Sequence, residues 1–440
     1  MNQQSKIVRN AHPAIAPDVT IRGDKITGDR YTSREFAKLE WDSVFRRVWH
    51  IGGRVSQLQE SGDFCVQHFG RESILMTRTA DNEIKAFYNW CPHRGNRLMH
   101  VDEGFVEKFV CSYHGWQFDQ QGEVIAVQDP LDFPQGSPCG NARLKEIRCD
   151  TWGGFIWFNM SPDGPSLHDH LGALGVELSA YQTDDWVRVL WVTVEVDCNW
   201  KIIHDNFSES YHLPTIHPEL ADFVEEDFAQ TKFDMFPGGH NRMQQRGCLP
   251  SIRNGNQEEI QEPLAQWMRD WDLDPEAFRG RVRDAREALQ QQRRKLGPAR
   301  GYDYWHGLTD EQLTDYNHCT LFPNFSLTMA PDGFQLLRPI PHPTDPEKCL
   351  FEHWYMVPRL PGQTEVDTPL GRCPVEPAEH ERFRHGDTSA GYVADQDLSV
   401  IVGQQLGLRS DAFPDFYLPA QETRIRRYHE VINDYIEGRV

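Results

Sequence analysis

The chain is short of positive charge: 45 Lys and Arg stand against 66 Asp and Glu, a formal net charge of −21. Phosphate binding needs clustered cations, so this balance argues against nucleic acid and anionic membrane as partners. It is compatible with a basic electron donor, although acidity is also the ordinary condition of a soluble surface. No apolar run approaches the roughly 18 residues of a membrane span, so nothing anchors the chain in a bilayer. The start, Met1-Asn2-Gln3-Gln4-Ser5, lacks the basic and apolar regions of a signal peptide. Ten cysteines are present but without the dense spacing of a disulfide scaffold, and a reducing, cytoplasmic setting is expected. No internal repeat or low-complexity tract occurs. What remains is 440 residues, 39% hydrophobic and 11% aromatic, enough for two sizeable cores and two or three domains.

Against that background, Cys91-Pro92-His93 and Cys111-Ser112-Tyr113-His114 stand out as four metal-binding side chains in one short stretch. A Cys-x-His followed by a Cys-x-x-His can give two sulfurs to one iron and two nitrogens to another, the ligand set of a Rieske [2Fe-2S] centre. A tetrahedral zinc would accept the same four groups, so the ligands alone leave both open. The flanks read Asn89-Trp90-Cys91-Pro92-His93-Arg94-Gly95 and Cys111-Ser112-Tyr113-His114-Gly115-Trp116, and they resemble the two cluster-binding loops of the Rieske non-haem iron oxygenases. The family usually has Pro where this chain has Ser112, which leaves all four ligand positions intact.

The same resemblance extends to Asn199-Trp200-Lys201-Ile202-Ile203-His204-Asp205-Asn206-Phe207-Ser208-Glu209-Ser210-Tyr211-His212-Leu213-Pro214-Thr215-Ile216-His217, which looks like the family's catalytic iron segment. His212 and His217 match its two histidine ligands. Five residues is an awkward spacing on a regular helix, and Pro214 is expected to disrupt the turn and re-aim the second histidine. A carboxylate would complete a facial triad with open iron positions. Asp397, in Gln396-Asp397-Leu398-Ser399-Val400, resembles the family's C-terminal acid; Asp395 is the weaker alternative, pointing elsewhere on a helix. Glu209 is expected one helical turn before His212, where an acid can hydrogen-bond the ligand's free ring nitrogen. In the family this position bridges to a Rieske histidine of the neighbouring subunit, which implies His114 of the partner subunit and a homotrimer. Asn206 matches a motif position near the iron that adjusts access or coordination.

Taken together the resemblance is to the large (alpha, oxygenase) subunit of the aromatic-ring-hydroxylating dioxygenase family. It implies an α+β chain: an antiparallel β Rieske domain followed by a helix-grip catalytic domain. The expected divisions are an N-terminal helical segment over 1–47, the Rieske domain over 48–160 and the mononuclear iron domain over 161–440, with a helical insertion at about 254–297. It further implies a terminal oxygenase that takes electrons from NAD(P)H through a separate reductase, with or without a ferredoxin. Its cofactors would be the [2Fe-2S] cluster and mononuclear Fe(II), its co-substrate O2, and its substrate an aromatic or bulky apolar compound, as in aromatic hydrocarbon catabolism. Glu at position 209, familiar among members that oxidise quaternary amines, keeps demethylation or hydroxylation of such an amine as the alternative. A Rieske electron carrier without oxygenase chemistry is the reading from another class.

Local patterns complete the expectation. Thr32-Ser33-Arg34-Glu35 reads as a capping box opening a helix with Phe36, Leu39 and Phe45 on its apolar side. Short strands follow at Phe64 to Phe69, Ser73 to Arg78 and Ile84 to Tyr88, with a turn at Asp81-Asn82. Asp332-Gly333 is expected to turn a hairpin between Ser326 to Met329 and Phe334 to Leu337. In the insertion, Asp274-Pro275-Glu276 reads as a helix start, with Phe278, Val282, Ala285 and Leu289 on one stripe. It is read as a helical hairpin packed on its own protein or a neighbour, or as a lid over the substrate entrance.

Overall fold

The structure, a computed structural model, describes residues 21–440. The first residues of the expected N-terminal segment lie outside the described residues. The described residues divide into two compact units: Trp41–His170, and residues 21–40 together with Leu171–Val440. Both are dominated by antiparallel sheet, with helices concentrated in the second, which is the α+β class expected from the sequence.

In the first unit a seven-stranded antiparallel sheet runs in the order His50–Arg54, Phe155–Asn159, Glu146–Trp152, Ile84–Tyr88, Glu72–Arg78, Asp63–Phe69, Glu103–Phe105. Asn82, in the left-handed region at φ 65°, turns the chain between Glu72–Arg78 and Ile84–Tyr88, a conformation Asn tolerates better than most residues. A smaller sheet of Phe109–Val110, Gln117–Phe118 and Val124–Ala126 stands beside it. Phe64, Leu75, Phe87, Phe109, Phe118 and Leu144 form a core that includes the thiol-bearing Cys91 and Cys111, both buried. The cysteines are therefore held by packing rather than displayed on a mobile loop.

The second unit is built on an eight-stranded sheet in the order Lys232–Met235, Asn241–Gln245, Tyr316–Leu321, Phe325–Ala330, Gly333–Pro341, Cys349–Val357, Val187–Val196, Glu381–Arg384. All neighbours are antiparallel except the last pair. The central strands Gly333–Pro341 and Cys349–Val357 are covered almost throughout, and their one buried ion pair is cross-strand: Arg338 Nε donates to Glu352 Oε2 at 2.8 Å. The hairpin turns one residue earlier than expected. Ala330 pairs with Gly333, so Pro331-Asp332 form the two-residue loop and Gly333 begins the return strand. Helices Trp200–Asn206 and Thr423–Ile436 pack on this sheet, and helix Tyr392–Leu408 packs on Trp200–Asn206.

Two local readings need correction. Ser33, not Thr32, caps helix Arg34–Glu40: its hydroxyl accepts from Phe36 N at 3.1 Å, while the Thr32 hydroxyl is occupied with Gly28 O at 3.1 Å in a preceding helical turn. Leu39, expected on the apolar side, is exposed. In the insertion the apolar stripe is right but the continuous helix is not. Phe278, Val282, Ala285 and Leu289 are all buried, yet Gly280 at φ 70° interrupts the path, giving 3-10 turns before the helix Ala285–Leu296. The insertion is fastened to its own unit, with Arg283 on the fully buried Glu225 at 2.7 Å and Arg286 on Asp315 at 2.8 Å.

Candidate functional site

Helix Trp200–Asn206 begins at Asn199, whose side chain accepts from Lys201 N, and it ends before Glu209. Glu209 thus lies in the irregular connection to the single turn Leu213–Ile216, not on a helix with His212 as expected. Its carboxylate still reaches that histidine, because the backbone ahead of the turn holds it: Oε2 accepts from the backbone N of Tyr211 and of His212, and Oε1 meets His212 Nδ1 at 2.5 Å. Pro214 sits in the first turn, where its missing N–H costs nothing. What re-aims the second histidine is His217 itself, which leaves the turn at φ −127°, ψ 53°.

The outcome is convergence. Donor atoms of His212, His217 and Asp397 all lie within 4.8 Å of one another, the one such group of three or more His, Cys, Asp or Glu side chains among the described residues. Asp397 Oδ1 is 2.8 Å from His217 Nε2 and 3.4 Å from His212 Nε2. Asp395 is elsewhere: it ties the chain just ahead of helix Tyr392–Leu408, accepting from Ala390 N at 2.8 Å and from the Ser389 hydroxyl. Asn206 makes no hydrogen bond to the three, and its Nδ2 is buried without a partner.

Three further residues shape the site, Gln396 within the stretch quoted for Asp397 and two outside any motif. Gln396 Oε1 stands 2.7 Å from His217 Nδ1. His318 lies on strand Tyr316–Leu321 with its Nδ1 3.0 Å from the Thr328 hydroxyl. Burial, with Arg424 and His212 adding to it, pushes His318 down to about 3, so it is neutral at physiological pH. Glu422 is pushed up to about 8, by burial first and then by the charges of Glu209 and Asp205. Adjacency to Asp397 could have drawn notice to Gln396; nothing in the sequence singles out His318 or Glu422.

The arrangement fits a cation. Both imidazoles carry an acceptor oxygen at Nδ1, from Glu209 and Gln396, and both point Nε2 at the same carboxylate oxygen. A neutral imidazole has one N–H, so acceptors on both nitrogens leave it a proton short, and a metal ion at Nε2 removes the conflict.

The first unit presents two matching loops. Gly95 N donates to Cys91 O and Gly115 N to Cys111 O, each at 2.9 Å, with the glycines at φ 74° and 70°. A Cβ at either would meet nothing within 4 Å, so the backbone conformation and not space calls for glycine. Of the two neighbouring thiols, Cys91 is driven up to about 11, chiefly by burial, whereas Cys111 is held below its ordinary value. For Cys111 burial acts upward but is outweighed by the N–H groups of Tyr113 and His114, the Cys91 thiol and the Asn96 amide. The rings of His93 and His114 are 4.6 Å apart, and Trp116 stacks on His93 at 4.9 Å. His114 Nδ1 is buried with no partner, a nitrogen lone pair that suits an iron of the cluster.

Loops bearing two cysteines and two histidines in one unit, and two histidines with a carboxylate in the other, define the class: a Rieske-type protein with a second, mononuclear metal centre. The family described as "Ring hydroxylating alpha subunit (catalytic domain)" matches residues 183–438, and "Rieske [2Fe-2S] domain" matches residues 48–135. The chain belongs to the ring-hydroxylating alpha-subunit family. The Rieske match favours the cluster over zinc.

Among its relatives, the glycine betaine monooxygenase oxygenase subunit of Pseudomonas aeruginosa (strain UCBPP-PA14) is 29% identical over 192 residues, 43% of this chain and 44% of that protein. The carnitine monooxygenase oxygenase subunit of Escherichia coli (strain K12) is 30% identical over 199 residues, 45% and 53%. The biphenyl 2,3-dioxygenase subunit alpha of Rhodococcus jostii (strain RHA1) is 30% identical over 210 residues, 46% and 45%. The chain spans about half the length of the curated relatives it matches. In fold it resembles a quaternary ammonium Rieske monooxygenase in complex with L-carnitine, at TM-score 0.65, 16% identity and coverage of 93% and 95%. Naphthalene 1,2-dioxygenase with indole bound gives TM-score 0.65 at 19% identity, with coverage of 95% and 93%. No helix among the described residues is long and apolar enough to cross a membrane.

Proposed function

We propose that this chain is the terminal oxygenase component of a multicomponent Rieske oxygenase. It takes O2 and electrons from a separate NAD(P)H-dependent reductase, with or without a ferredoxin, and hydroxylates an aromatic or bulky apolar compound in the cytoplasm. The observation that carries this reading is the convergence of His212, His217 and Asp397 within 4.8 Å in a chain that also holds the Rieske loops. A simple electron carrier has no use for that second cluster of ligands.

In this reading Cys91 and Cys111 hold one iron of the [2Fe-2S] group, His93 and His114 the other, and His212, His217 and Asp397 the mononuclear iron. When bound, these groups supply single-electron transfer and oxygen activation. Glu209 keeps a proton on His212 Nδ1, which fixes the ring with Nε2 toward the metal. As the family's bridging acid, Glu209 also reaches His114 of the partner subunit, so the active unit is a homotrimer with head-to-tail contacts. Sedimentation at catalytic concentrations is expected to show a trimer, and an enzyme active as a monomer at every concentration would sink the bridging role.

A second reading of the substrate rests on relatives: those named for glycine betaine and carnitine oxidation support the alternative, demethylation or hydroxylation of a quaternary amine. The space of about 620 Å³ that Trp267 and Trp271 of the insertion wall is a different place, for His212, His217 and Asp397 do not line it, and Arg293, Arg300 and Arg372 do, the first two over the Trp271 ring.

Metal analysis with visible and EPR spectra of anaerobically purified protein, before and after dithionite, tests the main proposal. About three irons per chain with a reduced Rieske signal are expected. Zinc without a visible chromophore would overturn it. Oxygen uptake with aromatic compounds set against betaine-like compounds then separates the two substrate readings.

A further inference from the structure

We propose that Gln396 is a positioning residue for the mononuclear centre, holding His217 in the one tautomer and orientation that presents Nε2 to the metal. The proposal rests on the reading that His212, His217 and Asp397 bind that metal. Gln396 and Asp397 are consecutive on helix Tyr392–Leu408, about 100° apart around its axis, and they grip the two ends of a single imidazole. Gln396 Oε1 meets Nδ1 at 2.7 Å and Asp397 Oδ1 meets Nε2 at 2.8 Å. An amide oxygen can only accept, so Nδ1 must carry the proton and Nε2 is left with its lone pair. His217 is 1% exposed, and water is poorly placed to substitute for the amide.

The helix that delivers this contact is pinned along its length. Asp395 ties its start to Ala390 N at 2.8 Å, and Gln405 Oε1 accepts from Asn199 N at 2.7 Å, joining it to the start of the segment that carries His212. A ligand held by an acceptor that is itself fixed is preorganised. The two histidines differ in one respect: His212 has a carboxylate behind it and His217 a neutral amide. The amide fixes the ring without adding another negative charge beside Asp397 and Glu209.

The test uses full-length protein with its Rieske cluster intact and its mononuclear site emptied by mild chelation, titrated anaerobically with Co(II). Gln396→Leu keeps the volume and removes the acceptor; Co(II) affinity is expected to fall roughly 10- to 100-fold, the usual cost of deleting such a partner. The cluster's visible spectrum stays that of the parent. Gln396→Glu retains the acceptor and is expected to bind at least as tightly as the parent. Unchanged affinity in Gln396→Leu, or a loss in Gln396→Glu as large as in Gln396→Leu, would overturn the proposal, and Gln396→Met carries the same test if the leucine variant does not fold. His217→Ala separates the two levels: loss of Co(II) binding there is expected, whereas retained binding removes the triad reading and this proposal with it.

Discussion

Substituting His212 by Ala is expected to reduce product formation by more than about a thousandfold, because in the proposed function it removes one of the three protein ligands of the mononuclear iron. Iron should fall from about three to about two per chain, and the reduced Rieske signal should be unchanged. The separation of effects follows from the architecture. The core around Cys91 and Cys111 is made wholly of residues from the Trp41–His170 unit, so a change in the Leu213–Ile216 turn withdraws nothing from it. The loss at the second centre is not local to one ring. Without the His212 imidazole, Glu209 keeps its backbone donors on Tyr211 and residue 212 but loses the Nδ1 partner at 2.5 Å, leaving a nearly buried carboxylate oxygen without its hydrogen bond. Preserved turnover with the variant would remove the mononuclear iron from the mechanism.

The parts of the site that could be read in advance are those whose ligands sit a few residues apart. Cys91 with His93, Cys111 with His114, and His212 with His217 are each set by short chain geometry, and the flanking residues then name the family. Asp397 needed more, since spacing cannot say which of two acids, about 200° apart on one helix, faces a metal whose other ligands lie far off in the chain. The resemblance picked Asp397, and the structure sets Asp397 beside His212 and His217 while Asp395 accepts from Ala390 N and the Ser389 hydroxyl. Gln396 and His318 escaped notice because their meaning depends on pairings made only by folding. Gln396 meets a histidine 179 positions away, and His318 is an ordinary strand residue until the sheet register sets it beside Thr328. At the level of fold, the short β pattern was accurate where turns are marked by Asn82 or by the strands themselves. It slipped by one residue at Pro331-Asp332, where proline competes with glycine for the turn. In the insertion, burial was legible and backbone was not: Phe278 and Val282 meet the core along a path that Gly280 breaks.

The second large effect is expected at a residue that touches no metal. Lys201, second in the helix Trp200–Asn206 that opens the iron segment, is fully buried, and its Nζ lies 2.9 Å from Glu40 Oε1, on a side chain only 2% exposed. The surroundings are aromatic, with Trp200, Tyr31 and Phe36 all within 5.5 Å of the ammonium, so water cannot readily stand in for either partner. Burial pushes Glu40 up and Lys201 down, and the mutual attraction of the two opposes it in each case. Lys201→Ala leaves the Glu40 carboxylate buried without its counter-ion, an arrangement that typically costs about 3–5 kcal/mol. For a unit of this size that corresponds to a fall of roughly 10 °C in the melting transition of the catalytic unit. Because the pair joins helix Arg34–Glu40 to helix Trp200–Asn206, the loss should appear first as protease sensitivity ahead of residue 41, with the Rieske spectrum retained. Replacing both partners together, Lys201→Met with Glu40→Leu, should recover most of the stability, since an apolar pair of similar volume carries no desolvation cost. Calorimetry on the two variants decides the matter: a loss under about 1 kcal/mol in Lys201→Ala, the value of a solvent-screened pair, would mean that this bridge does not hold the two helices together.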